Sequence, residues 1–343
     1  VAFFRKQWSN LISLSDNQIG LALLALLAGI ASALVITLFR LAIELPLTVF
    51  LPMDSAGHYE QLGQWARVAL LFSGSIFLIV LFHLLPTERR SVGVSHVLQR
   101  MESHQGYLPF TNVLVQWLAA AVAIISGHSA GREGPAIHLG AGTASKIGQN
   151  VGLAHHRLRI LAGAGVASAI SASFNTPMAG VIFAMEVVLL EYNIRGFIPI
   201  ILASVAGAIV SEAVFGVDTA FAVPGVDMQS LAEIPYILLL GIVAGFVASA
   251  FILLVKFFQR INLWPIWLKW GLLTSATAAI SFWLPQVMGI GYDTVNQALA
   301  GQVVMSSLLL LMIAKLVLGA WAAGVGFPAG LIGPTLFIGA ALG

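Results

Sequence analysis

Apolar positions run in long stretches along this chain, at 19–44, 66–86, 111–126, 161–171, 177–190, 197–214, 236–258, 266–284 and 303–323, and polar positions collect in the short connectors between them. About 20 apolar residues carry a helix across a bilayer, so the pattern predicts an all-α, multipass integral membrane protein. Several stretches are short or rich in Gly and Ala. That suits helices that tilt, pack closely or stop part-way, as in transporters whose sites lie between half-helices. The 262–270 stretch, with Trp264, Trp267, Lys269 and Trp270, predicts an interfacial belt, and Arg5, Lys6 and Trp8 a short interfacial lead-in. The basic connector Thr87-Glu-Arg-Arg90 places that turn in the cytoplasm, and with it the N-terminus two spans earlier.

Composition agrees. Of 343 residues, 59% are hydrophobic and 9% charged, with a mean hydropathy of +0.96, which is incompatible with the surface of a soluble domain. A net charge of +2 is too small to imply nucleic acid as a partner. The absence of cysteine removes disulfide, thiolate and Cys-metal chemistry.

A phrase occurs twice. Gly131-Arg-Glu-Gly-Pro-Ala-Ile-His-Leu-Gly-Ala-Gly142 is echoed by Gly330-Leu-Ile-Gly-Pro-Thr-Leu-Phe-Ile-Gly-Ala-Ala341. Further echoes stand in the same order: Ala28-Gly29 with Ala31-Ser-Ala33 and Arg40 against Ala244-Gly245 with Ala248-Ser-Ala250 and Lys256, and Gly93-x-x-x-Val97-x-Gln99 against Gly291-x-x-x-Val295-x-Gln297. Ordered echoes predict an internal duplication, with a first repeat half over 1–230 and a second over 231–343. The first half continues about 50 residues past its copy of the phrase and the second does not, so the second half is expected to be incomplete. Matching interruptions in two halves point to a substrate site between them near the bilayer midplane.

Each Gly-x-x-Gly-Pro reads as a tight turn restarting as a helix. A helix N-terminus presents unpaired N–H groups and a partial positive charge, so ends opening near Gly93, Gly134 and Gly330 can replace the water around an anion without a buried full charge. Neutral dipoles also bind weakly enough for release. Glu133 is itself an anion: ionised it can occupy such a site, and protonated it can vacate it. Arg132 beside it tunes the local potential or braces the loop.

These residues resemble the signature of the CLC family of chloride channels and chloride/proton antiporters. Gly131-Arg132-Glu133-Gly134-Pro135 is supported by Ala169-Ile-Ser-Ala-Ser-Phe-Asn175-Thr-Pro177-Met-Ala-Gly180-Val-Ile-Phe-Ala-Met-Glu186, by Gly289-Ile-Gly291-Tyr-Asp-Thr-Val and by Gly326-Phe-Pro328-Ala-Gly330-Leu-Ile-Gly-Pro334. The resemblance covers roughly residues 20–343. It implies inverted repeats with broken helices, a homodimer in the lipid bilayer touching through 177–190 and 197–214, and chloride as substrate with no cofactor and no metal. It gives Glu133 the role of gate and external proton acceptor, and places filter amides on Leu331 and Ile332.

Two departures stand out. The family's first filter loop usually reads Gly-Ser-Gly-Ile-Pro, and here Ser91-Val92-Gly93-Val94-Ser95 puts valine where the central hydroxyl would stand. Antiporter members commonly carry two adjacent acids after the Asn-x-Pro segment, and here they align with Glu186 and Val187. An apolar Val187 cannot pass a proton. The lead expectation is therefore passive, channel-like chloride flow gated by Glu133, with chloride/proton antiport through Glu133 and Glu186 as the alternative and fluoride export as a minor one. No nucleotide-binding tail of the eukaryotic type is visible, which points to a prokaryotic inner membrane.

A different class, an intramembrane hydrolase, is offered by Gly127-His128-Ser129-Ala130-Gly131, which fits Gly-x-Ser-x-Gly. Completing a triad would need Glu133 with His138 or the 155–156 pair, crowded into one loop. His155-His156 lacks the i, i+4 spacing of a helical metal pair and reads as a cytoplasmic basic turn with Arg157 and Arg159.

Overall fold

The computed structural model describes residues 17–49, 51, 57–191, 194–217, 221 and 230–343. The lead-in at Arg5, Lys6 and Trp8 lies outside them. Among the described residues the chain is helical and contains no strand, only an isolated bridge between Gly131 and Gly330.

Among the described residues thirteen α-helices follow one another: α1 (Gln18–Val49), α2 (Gln64–Leu84), α3 (Gly93–Ser103), α4 (Phe110–Ile125), α5 (Glu133–Val151), α6 (His155–Phe174), α7 (Pro177–Phe183), α8 (Ile194–Phe215), α9 (Ile234–Gln259), α10 (Ile266–Ser281), α11 (Tyr292–Leu299), α12 (Met305–Gly324) and α13 (Ile332–Leu342). Five stretches of the described residues are long and apolar enough to cross a membrane: Gln18–Val49, Gln64–Leu84, Gly196–Phe215, Leu231–Gln259 and Met305–Gly324. On α9, Leu238 is 64% and Phe246 72% exposed, an apolar surface that water would not tolerate and lipid would. The fold is all-α and multipass.

Helix starts repeat at a nearly constant interval. The pairs α3/α11, α4/α12 and α5/α13 open at 93 and 292, 110 and 305, and 133 and 332. Gly93 and Gly291, which begin the matching glycine turns, both have φ +84°, a left-handed value that a side chain would resist.

The chain forms two compact units, one of 1–42, 86–118 and 133–220, the other of 43–85, 119–132 and 221–343. These units interleave in sequence, whereas the division expected at 230/231 is one of internal similarity. In the first unit α6 is the centre, because its run of Gly, Ala and Ser lets neighbours approach closely. A Cβ on Gly140 of α5 would strike the Gly165 carbonyl of α6, and one on Gly165 would strike the Gly140 carbonyl. Serines lock the approach: Ser168 Oγ donates to Gly29 O (2.7 Å), Ser211 Oγ to Ala172 O (2.8 Å) and Ser204 Oγ to Pro177 O (2.7 Å).

In the second unit an aromatic chain runs Phe82, Trp270, Phe327, with ring centroids 5.0 and 5.3 Å apart. Trp270 is 2% exposed and its Nε1 donates to Val325 O (3.3 Å). This corrects the expected belt at 262–270: Trp264 and Trp267 face outward, but Trp270 and Lys269 are buried. Spacing alone does not give the environment: Trp267 and Trp270 stand three apart on α10, yet one is 62% and the other 2% exposed.

Candidate functional site

In the first unit, Val92 is the extended residue capping α3, with φ −139° and ψ 170°, and its side chain offers no cap hydrogen bond. The Gly93 N–H donates to Gln116 Oε1 (2.5 Å). That bond fixes the orientation of the amide, since its nitrogen could not face another donor. Gln116 is fully buried, and its Nε2 has no hydrogen-bond partner among the described residues. A free side-chain donor therefore stands at the α3 N-terminus, close to where valine replaces the expected hydroxyl. Asn112 Nδ2 holds the preceding loop through Ser91 O (2.9 Å) and Glu88 O (3.1 Å).

Glu133 is the first residue of α5 and is fully buried, as is Gly134 behind it. One and a half turns along the same helix, His138 Nε2 lies 3.1 Å from His96 Nδ1 of α3, with the rings at 89°. Arg100 Nε donates to His96 Nε2 (3.3 Å). Both histidines are buried, His96 at 5% and His138 at 0% exposure.

In the second unit, Gly131 and Gly330 exchange two backbone hydrogen bonds of 2.8 Å. These are the opening glycines of the two repeated phrases, so the duplicated loops pair with each other. Three positions before the bridged glycines, His128 and Phe327, also equivalent in the repeat, stack at 4.6 Å. Leu331 follows the bridge and caps α13, and Ile332 is its first residue. Arg132 donates from its NH1 nitrogen to Glu44 Oε1 (3.2 Å) and lies 5.4 Å from the Tyr292 ring. Its guanidinium thus braces the loop through protein partners. Lys315, fully buried, donates to Gly289 O (2.7 Å).

Glu186 stands in a π-helical turn, Ala184–Leu189, that continues α7, and both Glu186 and Val187 are exposed. π-turns recur at functional sites. The hydrolase reading fails on geometry. Ser129 Oγ is buried with no hydrogen-bond partner, while His128 is spent on Ser126 Oγ (3.0 Å), Ser75 Oγ (3.0 Å) and Thr274 Oγ1 (3.2 Å). No group of three or more metal-ligating side chains occurs among the described residues.

The sequence reading missed Gln116, His96 and Lys315. Gln116 and Lys315 are polar residues in apolar helices, and the available signal was the position itself, because an intramembrane polar side chain is costly unless used; His96 stands among other polar residues of α3, which offered no such signal. Gln116 and Lys315 stand 199 apart, the interval of the repeated phrase.

Residues 70–343 match the family described as voltage gated chloride channel. Two curated relatives are similar: the chloride channel protein CLC-f of Arabidopsis thaliana, 34% identical over 248 residues (67% of this chain, 32% of the relative), and the voltage-gated ClC-type chloride channel ClcB of Escherichia coli, 26% identical over 331 residues (94% and 78%). The chain spans about a third of the plant protein's length. Two solved structures share the fold: a CLC-type fluoride/proton antiporter, with TM-score 0.78, 24% identity and coverage of 95% of this chain and 80% of that one, and a slow cyanobacterial Cl−/H+ antiporter, with TM-score 0.76, 20% identity and coverage of 93% and 76%. Helices of this length and apolarity, a repeated Gly-x-x-Gly-Pro phrase and a match over 70–343 have one reading: the chain belongs to the CLC family, whose members carry anions across membranes and are not enzymes.

Proposed function

We propose that this chain carries chloride through a mid-membrane site assembled from helix N-termini, and that the Glu133 carboxylate gates it. The observation that carries the reading is a fully buried acid as the first residue of a 19-residue helix, α5. A carboxylate and a halide compete for the same N–H groups and the same end of the helix dipole. Ionised Glu133 excludes the anion, and protonated Glu133 yields to it. Gly134, Gly330, Leu331 and Ile332 contribute backbone donors, Gln116 contributes the side-chain donor that Val92 lacks, and Arg132 sets the loop. The repeat halves at 1–230 and 231–343, a homodimer through 177–190 and 197–214, and a prokaryotic inner membrane belong to the same proposal.

Two modes of transport are consistent with that gate. Val187, apolar where an acid would receive protons from inside, favours passive flow. The buried His96–His138 pair favours chloride/proton exchange. Simultaneous chloride and proton flux from liposomes holding the full-length protein tests both: chloride release with no trace of Glu133 dependence would defeat the gate, and absence of chloride release would defeat the anion reading.

A further inference from the structure

We propose that His96 and His138 form a proton relay that serves Glu133 from the face of the first unit carrying Arg100. It rests on the reading of Glu133 as the gate and adds the route by which its proton comes and goes.

Donor chemistry fixes the sense of the chain. An arginine Nε can only donate, so His96 Nε2, 3.3 Å from Arg100 Nε, is an acceptor. A neutral imidazole with one acceptor nitrogen carries its proton on the other, so His96 Nδ1–H donates to His138 Nε2 at 3.1 Å. His138 must then carry its own proton on Nδ1. That nitrogen is buried and has no partner among the described residues. Three donors point the same way, and the last has nothing to give to. A buried orphan donor is costly and marks a missing acceptor, such as an ordered water or a carboxylate.

The chain ends near the gate. His138 follows Glu133 by five positions, about 7.5 Å of helix rise, and helical side chains lean toward their own N-terminus. A gap of that size is one that one or two waters can bridge. The chain begins near the other face. At the end of α3, Ser103 and His104 are exposed, and a Cβ on Gly106 would meet Arg159 Cα at 2.9 Å, so this end adjoins the basic turn of His155, His156, Arg157 and Arg159. Such a cluster lies on the cytoplasmic side.

The step balances. With Arg100 swung aside, His96 Nε2 takes a proton from water, its Nδ1–H passes to His138 Nε2, and the His138 Nδ1–H passes through water to a Glu133 carboxylate oxygen. One proton enters and one leaves, with no electron moved. Both rings then turn over, or the reverse transfer restores them. The groups acting on the pair are Arg100 on α3 and His104 at its C-cap, with each imidazole acting on the other, while the π-turn that carries Glu186 packs against α3. Arg100 disfavours a resident imidazolium, so the proton is passed and not stored.

The test uses the full-length protein in liposomes under a chloride gradient, with chloride and proton movements recorded together. Wild type should drive protons uphill. His138→Asn keeps a donor near the Nδ1 position but cannot accept and pass a proton, and His96→Leu breaks the chain; each should cut proton movement at least tenfold relative to chloride flux, with chloride flux within about threefold of wild type. Wild-type chloride flux without proton movement overturns the relay and leaves the Glu133 reading intact. Coupling retained in His138→Asn overturns it in favour of another route. Loss of chloride flux together with coupling overturns it too, making His138 part of the anion site or of the packing. Absence of any wild-type chloride flux removes the underlying reading, and the relay with it.

Discussion

The Gly93 amide gives its hydrogen bond to Gln116 Oε1 at 2.5 Å, and the other end of the same side chain stands buried with an uncommitted donor. Gln116 thus does two things at the α3 N-terminus. It satisfies an N–H that a helix start would leave open, and it offers N–H to whatever anion arrives. Lys315, 199 positions later, holds the other glycine turn through Gly289 O. The two sites share a position and differ in chemistry, since the lysine donates to a carbonyl where the glutamine accepts from an amide.

Gln116→Glu separates the two tasks. The acceptor for Gly93 is kept, and a negative charge replaces the free donor. Chloride affinity by titration calorimetry should fall at least tenfold, about 1.4 kcal/mol, while the melting temperature stays near that of wild type. Unchanged affinity would mean that the Gln116 donor never meets the anion.

Glu133→Gln keeps size and removes the blocking charge. In wild type, flux should rise as pH falls, because protonation empties the site of its own carboxylate; in the variant the pH profile should be flat and high. An acid-activation curve like that of wild type would pass the gate to another group, with Glu186 first in line.

Val92→Ser restores a hydroxyl at the α3 cap. Serine at an N-cap stabilises a helix by about 1 kcal/mol where valine contributes no cap bond. The permeability ratio of chloride over nitrate should increase several-fold, together with a small rise in melting temperature. A higher melting temperature with unchanged selectivity would make residue 92 a cap only.

Much of this was legible in the sequence because it is periodic or repeated. Apolar runs gave the helices, and the twice-written Gly-x-x-Gly-Pro gave the loops that pair through Gly131 and Gly330. What stayed hidden depends on where solitary polar side chains point. His138 drew notice only as a member of a crowded triad, because nothing in the order of residues says that α3 brings His96 to within 3.1 Å of it. Arg132 was expected to brace its loop, but the residue through which it does so, Glu44, stands 88 positions away. The 262–270 belt failed for a related reason: aromatic composition does not say which face of α10 turns inward.

Gly140→Ala tests how firmly α5 is held. The new methyl would press on the Gly165 carbonyl of α6, and overpacking of this kind costs about 1–3 kcal/mol. Because α5 carries both Glu133 and His138, the variant should lose thermal stability and slow chloride flux together. Full stability with full flux would show that the two helices part easily, and that close glycine packing does not set the gate.

Glu186→Gln distinguishes the relay from the acid that sequence reasoning put forward. Glu186 is exposed in the π-turn, and its neighbour Val187 cannot exchange protons. If protons travel through His96 and His138, neutralising Glu186 leaves the chain from Arg100 to His138 untouched, and both chloride and proton movements should stay within about twofold of wild type. A carboxylate that only attracts protons to the mouth would slow entry modestly at low buffer concentration and be rescued by more buffer. Coupling abolished at every buffer concentration, with chloride flux spared, would identify Glu186 as the internal proton acceptor, and the histidine pair would then be a packed contact between α3 and α5.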